Sequence, residues 1–425
     1  MLDIKILRSN PHEIEKKLQS KDPDISLNFL LSVDQNVRKL KQEAEELKAR
    51  RNHLSKQIGE LKSQKKDTSS LMEEVNSFSD KMHACDIELK EEEEKLKHVL
   101  DHLPNIPDDN IKVSLDPKDN VCLKTVGEKP SFNFKAKNHV ELNEHLHLFE
   151  FAKGAKMSGS GWPVYKGIGA RLEWALINYM IETHIKNGFE QWMVPLLVRP
   201  EMMYGVGQLP KFKDQLFKIH DKDYDLYLIP TSEVALNSLY YDEILPVEDL
   251  PKKYISYTPC FRREAGAAGS QERGLIRVHQ FNKVEMFCFT LPEESDHMFD
   301  TMLSSAEEIL QGLELHYRNM LLVTGDMSFA AAKTLDIEVY LPGQERYYEV
   351  SSVSNCRDFQ ARRSKIRYRT PEGNLAFVHT LNGSGLATSR LMVALLENNQ
   401  QADGSVILPK VLQKYLGGIT VLKPS

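Results

Sequence analysis

Cysteine is scarce in this chain, and its arrangement excludes two kinds of structural site. The five cysteines among 425 residues are widely spaced, and none belongs to a CxxC pair. We therefore expect neither a disulfide framework nor a structural zinc site. A reducing cytoplasm is the natural environment for thiols of this kind.

Long apolar runs are missing as well. No stretch approaches the ~18 uninterrupted apolar residues that a membrane-spanning helix requires, and the N-terminal MLDIKILRSN lacks the apolar core of a secretory signal. The 55 Lys and Arg nearly balance the 61 Asp and Glu, which leaves a net charge of -6. We therefore predict no association with membranes, and any affinity for nucleic acid must reside in local patches.

The most regular pattern lies near the N-terminus. Apolar residues recur at steps of three and four from Leu30 to Leu61 and again from Leu71 to Val99, with the polar stretch KSQKKDTSS between them. Such heptads are typical of helices that pack on each other, so the sequence predicts an antiparallel coiled-coil hairpin over about residues 29–101. At 1.5 Å per residue each arm would be roughly 50 Å long.

Charge divides the two predicted helices. Residues 38–66 carry ten Lys or Arg against four Asp or Glu, whereas residues 67–103 carry four against eleven. Opposite charges on paired helices can fix their register. The basic helix and the lysines Lys62, Lys65 and Lys66 at the tip can also form a cationic stripe for a phosphate backbone. The sequence leaves both roles open.

Beyond the hairpin the composition changes. Prolines between residues 104 and 131 exclude a continuing helix, so we predict an N-terminal domain at 1–103, a linker at 104–131 and a second domain at 132–425. Paired long strands favour an α+β fold in which helices flank an antiparallel sheet. The predicted helices and strands of this domain lie at about 168–187, 293–316 and 387–398, and at 254–262, 276–289, 347–355 and 375–382.

Two common nucleotide-binding loops are absent, since no GxGxxG follows a predicted strand and no GxxxxGK[ST] occurs. A different surface is predicted around FRREAGAAG. Because side chains alternate along a strand, Arg262 and Glu264 should share one face of the first strand, and Arg277, Phe281 and Glu285 one face of the second. Arginine binds phosphate bidentately, so this face suits a nucleotide. A solvated hairpin with cross-strand ion pairs is the alternative.

Several segments together resemble a known family. FRRE at 261–264 and GLATSR at 385–390 resemble the second and third signature motifs of class II aminoacyl-tRNA synthetases. PTSE at 230–233, EVSS at 349–352, HQFNKVE and the long hairpin add a resemblance to the seryl-tRNA synthetases of bacterial type. The resemblance extends over essentially the whole chain. It implies attachment of L-serine to tRNA(Ser) through a seryl-adenylate, with ATP and Mg²⁺, and it allows tRNA(Sec) as a second acceptor.

The resemblance also implies an assembly and a location. Pro195 matches the first signature motif of the family, which lies at a dimer interface, so a homodimer is expected. The family also implies a cytoplasmic enzyme.

Site residues follow from the same resemblance. Arg262, Glu349 and Arg390 would be catalytic, with Arg262 on the α-phosphate and Arg390 on the γ-phosphate, while Glu349 and Ser352 would hold Mg²⁺. The residues implied for ATP are Arg262, Arg263, Glu264, Arg277, Val278, Phe281, Glu349, Val350, Ser351, Ser352 and Arg390. Those implied for L-serine are Thr231, Ser232, Glu233, Glu285, Asn382 and Ser384. Which of Glu233 and Glu285 binds the ammonium and which the hydroxyl stays open.

Two other functions are compatible with parts of the pattern. A class II-like ligase could load a carrier protein or a small molecule instead of tRNA, but such relatives tend to lack the arm. A structural coiled-coil protein would have no need of the polar strand face. The family resemblance therefore gives the preferred interpretation.

Overall fold

The computed structural model describes residues 1–265 and 273–424, and the chain forms two compact units, Met1–Leu103 and Pro104–Ser425. The helices are α1 (Ile4–Ser9), α2 (Pro11–Gln19), α3 (Asn28–Ser63), α4 (Ser69–His102), α5 (His139–Leu146), α6 (Phe151–Ser158), α7 (Ile168–Lys186), α8 (Pro200–Gly205), α9 (Glu233–Asn237), α10 (Ser295–Gly312), α11 (Phe359–Ser364), α12 (Thr388–Asn398) and α13 (Lys410–Gln413). The strands are β1 (Val121–Val126), β2 (Phe149–Glu150), β3 (Val164–Tyr165), β4 (Glu190–Trp192), β5 (Leu197–Val198), β6 (Tyr227–Leu228), β7 (Ile244–Leu245), β8 (Lys252–Phe261), β9 (Gln280–Thr290), β10 (Tyr317–Leu321), β11 (Lys333–Leu341), β12 (Arg346–Asn355), β13 (Arg367–Arg369), β14 (Leu375–Phe377), β15 (His379–Ala387), β16 (Val406–Ile407) and β17 (Val421–Leu422).

The first unit contains the predicted helical hairpin, which is confirmed. Helices α3 and α4 are 36 and 34 residues long and are joined by a short turn. Their charge difference produces ion pairs between the helices: Lys41 Nζ lies 2.7 Å from Glu93 Oε1, and Arg50 Nη2 lies 3.6 Å from Glu74 Oε1. The charge pattern therefore places oppositely charged side chains next to each other in the observed antiparallel pairing of the helices.

The base of the hairpin is the best-packed part of the first unit. Helices α1 and α2 contribute the buried residues Leu7 and Leu18, and Leu30 at the start of α3 is buried as well. The Asp34 carboxylate is also buried there, and it accepts hydrogen bonds from Arg8 Nε at 2.7 Å and Arg8 Nη2 at 2.5 Å. This charged pair ties α1 to α3.

The second unit is organised around one large sheet. Its eight strands follow the order β1-β10-β11-β12-β15-β9-β8-β4, and all neighbours are antiparallel except β4 and β8. The helical runs predicted from sequence correspond to α7, α10 and α12, and the main strand runs to β8, β9, β12, β14 and β15. The predicted α+β class is confirmed.

Strand β9 shows how the two faces of this sheet differ. Val284, Met286 and Cys288 belong to the large apolar core that also contains residues of α7, α10 and α12. Phe287 and Phe289 point to the other face and belong to a second apolar cluster. Lys283 and Glu285, nearer the start of the strand, share this second face and carry charged groups.

Residues 104–131, for which the sequence predicts a linker, belong to the second unit and contact other parts of it. The Asn105 side-chain amide donates to the carbonyl oxygens of Ala330 and Cys356, both at 2.9 Å. Further along, β1 forms the edge of the large sheet by pairing with β10. The segment that follows the helical hairpin therefore makes its own hydrogen bonds and strand pairing within the second unit. None of the helices in the described part of the chain is long and apolar enough to cross a membrane.

The Arg8–Asp34 pair gives a test of this packing. Asp34→Ala should lower the free energy of unfolding of the first unit by about 2 kcal/mol, because it removes hydrogen bonds to a charged group. Lys41→Ala, at an exposed pair, should change it by less than about 1 kcal/mol. Urea unfolding of the full chain, followed by far-UV circular dichroism, measures both. Equal effects of the two substitutions would contradict the importance of the buried pair.

Candidate active site

One polar cavity lies where the loops after β8 and before β9 meet β12, β15 and the start of α12. It gathers residues that are far apart in the sequence. Its lining residues are Arg262, Glu264, Ile276, Arg277, Val278, Phe281, Lys283, Glu349, Val350, Ser384, Ala387, Ser389 and Arg390.

The strand assignment of three predicted residues was wrong. Strand β8 ends before Arg262 and Glu264, and β9 begins after Arg277. The physical reason lies in the backbone: Glu264 has a left-handed conformation with φ 48°, and the chain turns at residues 274–277, where Gly274 has a φ of 69°. The Gly-rich loop between the strands lies partly outside the described residues.

The loops still place these side chains on one surface. Arg277 Nη1 lies 2.7 Å from Glu264 Oε2, so the two form an ion pair. Arg262 Nε donates to the Pro230 carbonyl at 3.3 Å, and the Arg262 guanidinium lies 5.1 Å from the centre of the Phe281 ring. The backbone carbonyl and the ring thus fix the direction of this arginine.

Arg390 reaches the same cavity from the first turn of α12. Its Nε donates to the Ile276 carbonyl at 3.2 Å, and its Nη1 donates to the Glu349 carbonyl at 2.9 Å and lies 3.4 Å from Glu349 Oε2. The guanidinium is therefore held between the segment before β9 and the strand β12. Two arginines from different elements are directed into one cavity, an arrangement suited to a polyphosphate.

A bulge in β12 brings Glu349 and Ser352 to one face. Glu349 lies opposite Glu338, and Ser352 lies opposite Asp336. Glu349 and Ser352 are three positions apart in β12, whereas Asp336 and Glu338 are only two positions apart in β11. The register shifts between these pairs, so one residue of β12 is extra. Alternation alone would have placed Glu349 and Ser352 on opposite faces.

This face also carries a buried acid. Asp336 Oδ1 is buried and has no hydrogen-bond partner among the described residues. Burial raises the pKa of Asp336 well above its usual range, the charge of Glu349 adds to the rise, and a hydrogen bond with Ser352 opposes it. No described group of three or more His, Cys, Asp or Glu side chains could hold a metal ion by itself. Two oxygen ligands do fit Mg²⁺, which takes its remaining ligands from phosphates and water.

Apart from Ser384, which lines the cavity, the residues predicted to bind the substrate serine lie beside it in a largely buried polar cluster. Glu285 is buried and forms an ion pair with Lys283, whose Nζ also donates to Thr231 Oγ1 at 2.8 Å. The Glu233 Oε1 atom accepts from Gln360 Nε2 at 2.7 Å and from Asn382 Nδ2 at 3.1 Å. Two carboxylates and one ammonium thus share a small interior volume.

The electrostatics of this cluster are unusual. Burial, with a further contribution from the Glu285 charge, raises the pKa of Glu233 to about 7. Lys283, the hydrogen bond from Gln360 and the charge of Arg262 act in the opposite direction. The cations of the site therefore limit how far the pKa of Glu233 rises.

Eight predicted residues are not among those that line the described cavity: Thr231, Ser232, Glu233, Arg263, Glu285, Ser351, Ser352 and Asn382. Three of them make contacts behind it. The Arg263 backbone N–H donates to the Gln215 carbonyl at 3.0 Å, and the Ser232 hydroxyl is buried and donates to the Ser256 carbonyl at 3.3 Å. Ser351 Oγ donates to the Ser384 carbonyl at 2.6 Å. These contacts support the backbone around the cavity.

Sequence reasoning missed Lys283. The residue lies in the HQFNKVE segment, and the signal was present: Phe281, Lys283 and Glu285 are alternate residues, which must share one face of a strand. Gln360 was missed as well, and no sequence pattern links it to Glu233, because the two residues are 127 positions apart in the chain and meet only in the folded structure.

Comparisons with known proteins find relatives that match over the full length of the chain. The model of the tRNA synthetase class II core domain (G, H, P, S and T) matches residues 216–399, and that of the seryl-tRNA synthetase N-terminal domain matches residues 1–107. The serine–tRNA ligase of Chlamydia pneumoniae is 53% identical over 100% of this chain and 99% of its own length. The serine–tRNA ligase of Chlamydia felis is 52% identical over 99% of both chains.

Two solved structures are similar over the full chain. The seryl-tRNA synthetase of Pyrococcus horikoshii, complexed with ATP, has a TM-score of 0.95 and 36% identity, with 100% of both chains covered. The cytoplasmic serine–tRNA ligase of Naegleria fowleri, in complex with AMP, has a TM-score of 0.90 and 29% identity, covering 100% of this chain and 99% of the other.

The raised pKa of Glu233 predicts a pH dependence of stability. An acid whose pKa is about 7 in the folded protein, against 4.5 in the unfolded chain, binds more protons when folded between these values, so its contribution to stability falls as pH rises through this range. Glu233→Gln keeps an acceptor oxygen but removes the titration. The melting temperature of this variant relative to the parent should therefore increase from about pH 5 to pH 8. A difference that stays constant across this range would contradict the assignment.

Proposed function

This chain belongs to the seryl-tRNA synthetase family, and from that starting point we propose how its residues carry out the reaction. The enzyme is a class II aminoacyl-tRNA synthetase that attaches serine to tRNA with ATP. The observation that carries the residue assignment is the single cavity that Arg262, Phe281, Glu349 and Arg390 line beside the buried Glu285. Exchange of labelled pyrophosphate into ATP that depends on serine tests the first reaction step.

The first step requires alignment and charge neutralisation. The carboxylate of serine is ionised at neutral pH, so an oxygen of this group can attack the α-phosphorus without a general base, and pyrophosphate leaves. We assign Arg262 to the α-phosphate and Arg390 to the γ-phosphate. Phe281 would stack on the adenine and Glu264 would contact it, with Arg277 and Val278 beside them.

Glu349 and Ser352 are the residues that would hold Mg²⁺. The bulge in β12 supports this assignment because it turns both side chains to one face. When bound, the ion supplies positive charge that offsets the phosphate oxygens. Val350 and Ser351 would support the nucleotide through their backbone.

The second step transfers serine to tRNA. The terminal 3′-hydroxyl of the tRNA attacks the carbonyl carbon of the seryl-adenylate, and AMP leaves. Thr231, Glu233, Glu285, Asn382 and Ser384 form the proposed serine pocket. Alanine should be rejected most strongly, because its binding would leave buried polar groups without a partner.

The arm is the proposed tRNA-binding element. Lys62, Lys65 and Lys66 are exposed at its tip, where they can contact a phosphate backbone, and such contacts recognise RNA shape more than sequence. We propose tRNA(Ser) as the acceptor and tRNA(Sec) as a second one. A ligase for a carrier protein is not needed to account for the chain, because full-length relatives carry the same arm domain. The reaction would take place in the cytoplasm, where tRNA and ATP are available.

We also propose a homodimer. The surface of α7 and of the segment after β4 supports this, since the exposed fraction of Trp174 is 55% and that of Met193 is 92%. Large apolar side chains exposed to this degree are candidates for contact with a second copy. Sedimentation equilibrium at micromolar concentration would detect the dimer.

The phosphate assignment gives a direct test. Arg262→Lys keeps the positive charge but loses the planar fork, so serine-dependent pyrophosphate exchange should fall by about tenfold or more. Arg263→Lys is the matched control at the neighbouring position, because Arg263 does not line the described cavity, and it should retain nearly parental exchange. Parental kinetics in Arg262→Lys would mean that this residue does not bind the phosphates.

The arm assignment is tested by shortening the hairpin. Replacing residues 48–78 with a short Gly/Ser turn keeps the packed base, including the Arg8–Asp34 pair, and removes the tip. Pyrophosphate exchange should remain, whereas charging of tRNA should fail, because the proposed phosphate contacts of the tip are lost. Undiminished charging would leave register fixing as the sole role of the charge pattern.

Salt dependence separates the tip from the rest of the arm. Replacing Lys62, Lys65 and Lys66 with Gln in the full-length chain should weaken tRNA binding and reduce its dependence on salt concentration, because fewer counterions are released. Filter binding at several salt concentrations measures this slope. An unchanged slope would place the phosphate contacts on other residues.

A further inference from the structure

Lys283 is a buried cation to which the reaction scheme above gives no role. Its side chain is 6% exposed, and it lines the active-site cavity. Lysine is rarely buried to this extent unless it is paired. Its location in the serine pocket therefore requires an explanation beyond solubility or surface charge.

The contacts of this lysine are those that an amino-acid ammonium would make. Its Nζ forms an ion pair with Glu285 and donates to Thr231 Oγ1 at 2.8 Å. An ammonium group has three donors and no acceptor, so it is satisfied by carboxylate and hydroxyl oxygens. Both oxygens belong to residues of the proposed serine pocket.

We propose that Lys283 is a positioning residue of the serine pocket: its ammonium occupies the subsite formed by Thr231 and Glu285 until the ammonium of serine replaces it. This inference rests on the proposed function of the site. It also assigns the two carboxylates that the sequence left undecided, because it places the substrate ammonium on Glu285.

Glu233 is the weaker candidate for that ammonium. Its Oε1 atom is held by the amide groups of Gln360 and Asn382, so side-chain donors already direct this carboxylate. Glu285 has a cation as its partner instead. If the ammonium of serine binds to Glu285, it replaces the ammonium of Lys283. A positive charge then still balances the two carboxylates, Glu233 and Glu285.

The exchange has an electrostatic basis. The charged or titratable groups that face this subsite come from four elements: Glu233 of α9, Cys260 at the end of β8, Arg262 of the following loop, and Lys283 and Glu285 of β9. Removing the Lys283 charge would leave two buried carboxylates with Arg262 as the remaining cation of this group. A ligand ammonium could then supply the missing charge.

The test uses two ligands that differ only in the ammonium. One is a non-hydrolysable seryl-sulfamoyl adenosine, and the other is the same molecule with hydrogen in place of the amino group. Isothermal titration calorimetry gives the affinity ratio of the two for the parent, for Lys283→Met and for Lys283→Gln. The Gln variant keeps a donor for Thr231, and it allows the same measurement if Lys283→Met does not fold. Lys253→Met, on the neighbouring strand β8, is the matched control, because Lys253 Nζ contacts the Asn187 carbonyl at 3.1 Å outside this site.

In both Lys283 variants the preference for the ligand with the ammonium should rise by about tenfold or more over that of the parent, because only this ligand restores the lost cation. A purely structural role would weaken both ligands equally, so an unchanged ratio would overturn the proposal. The control should keep the parental ratio. Failure of the parent itself to bind the seryl ligand or to catalyse serine-dependent pyrophosphate exchange would instead count against the serine pocket.

Discussion

The alternation of side chains along β9 is the constraint on which the core and the active site both depend. A strand presents every second residue to each face, so β9 can fill the large core with Val284, Met286 and Cys288 only if the intervening residues point to the other face. On that face, Phe287 and Phe289 are apolar, whereas Lys283 and Glu285 are charged. One face of β9 therefore contributes to the large core. The other face is apolar near the end of the strand and carries the charged groups of the active site nearer its start.

Burial of charged side chains is the main cost in free energy of this arrangement. Two carboxylates lie close together in the interior, and burial raises the pKa of one of them, Glu233, to about 7. The neighbouring cations Lys283 and Arg262 and the amide donors offset part of this effect. A pocket that is charged but nearly balanced can accept a zwitterion without a large change in net charge.

Much of the fold could be predicted from the sequence, because its periodicities are strong. The heptads predicted the helical hairpin, and the long alternating runs indicated the strands of the main sheet. The details of the site were harder to predict, since they depend on departures from regular structure. Arg262, Glu264 and Arg277 lie beyond the strand ends. Glu349 and Ser352 share a face only because of the bulge in β12, and a bulge leaves no periodic pattern in a single sequence. The family resemblance supplied the residues of the site, but not their contacts.

The seam of the helical hairpin becomes thinner toward its tip. At the base, α1 and α2 cover α3, whereas in the distal half the buried seam residues of α3 and α4 are few, with Leu54 and Phe78 among them. Local opening requires less free energy where fewer apolar contacts are buried, so backbone amides should exchange with solvent faster at the tip than at the base. The part of the molecule proposed to contact tRNA can then fray and re-form on its own. Adaptation to acceptors of different shape would be confined to one end of the arm, while the cooperative unit that contains the active site stays intact.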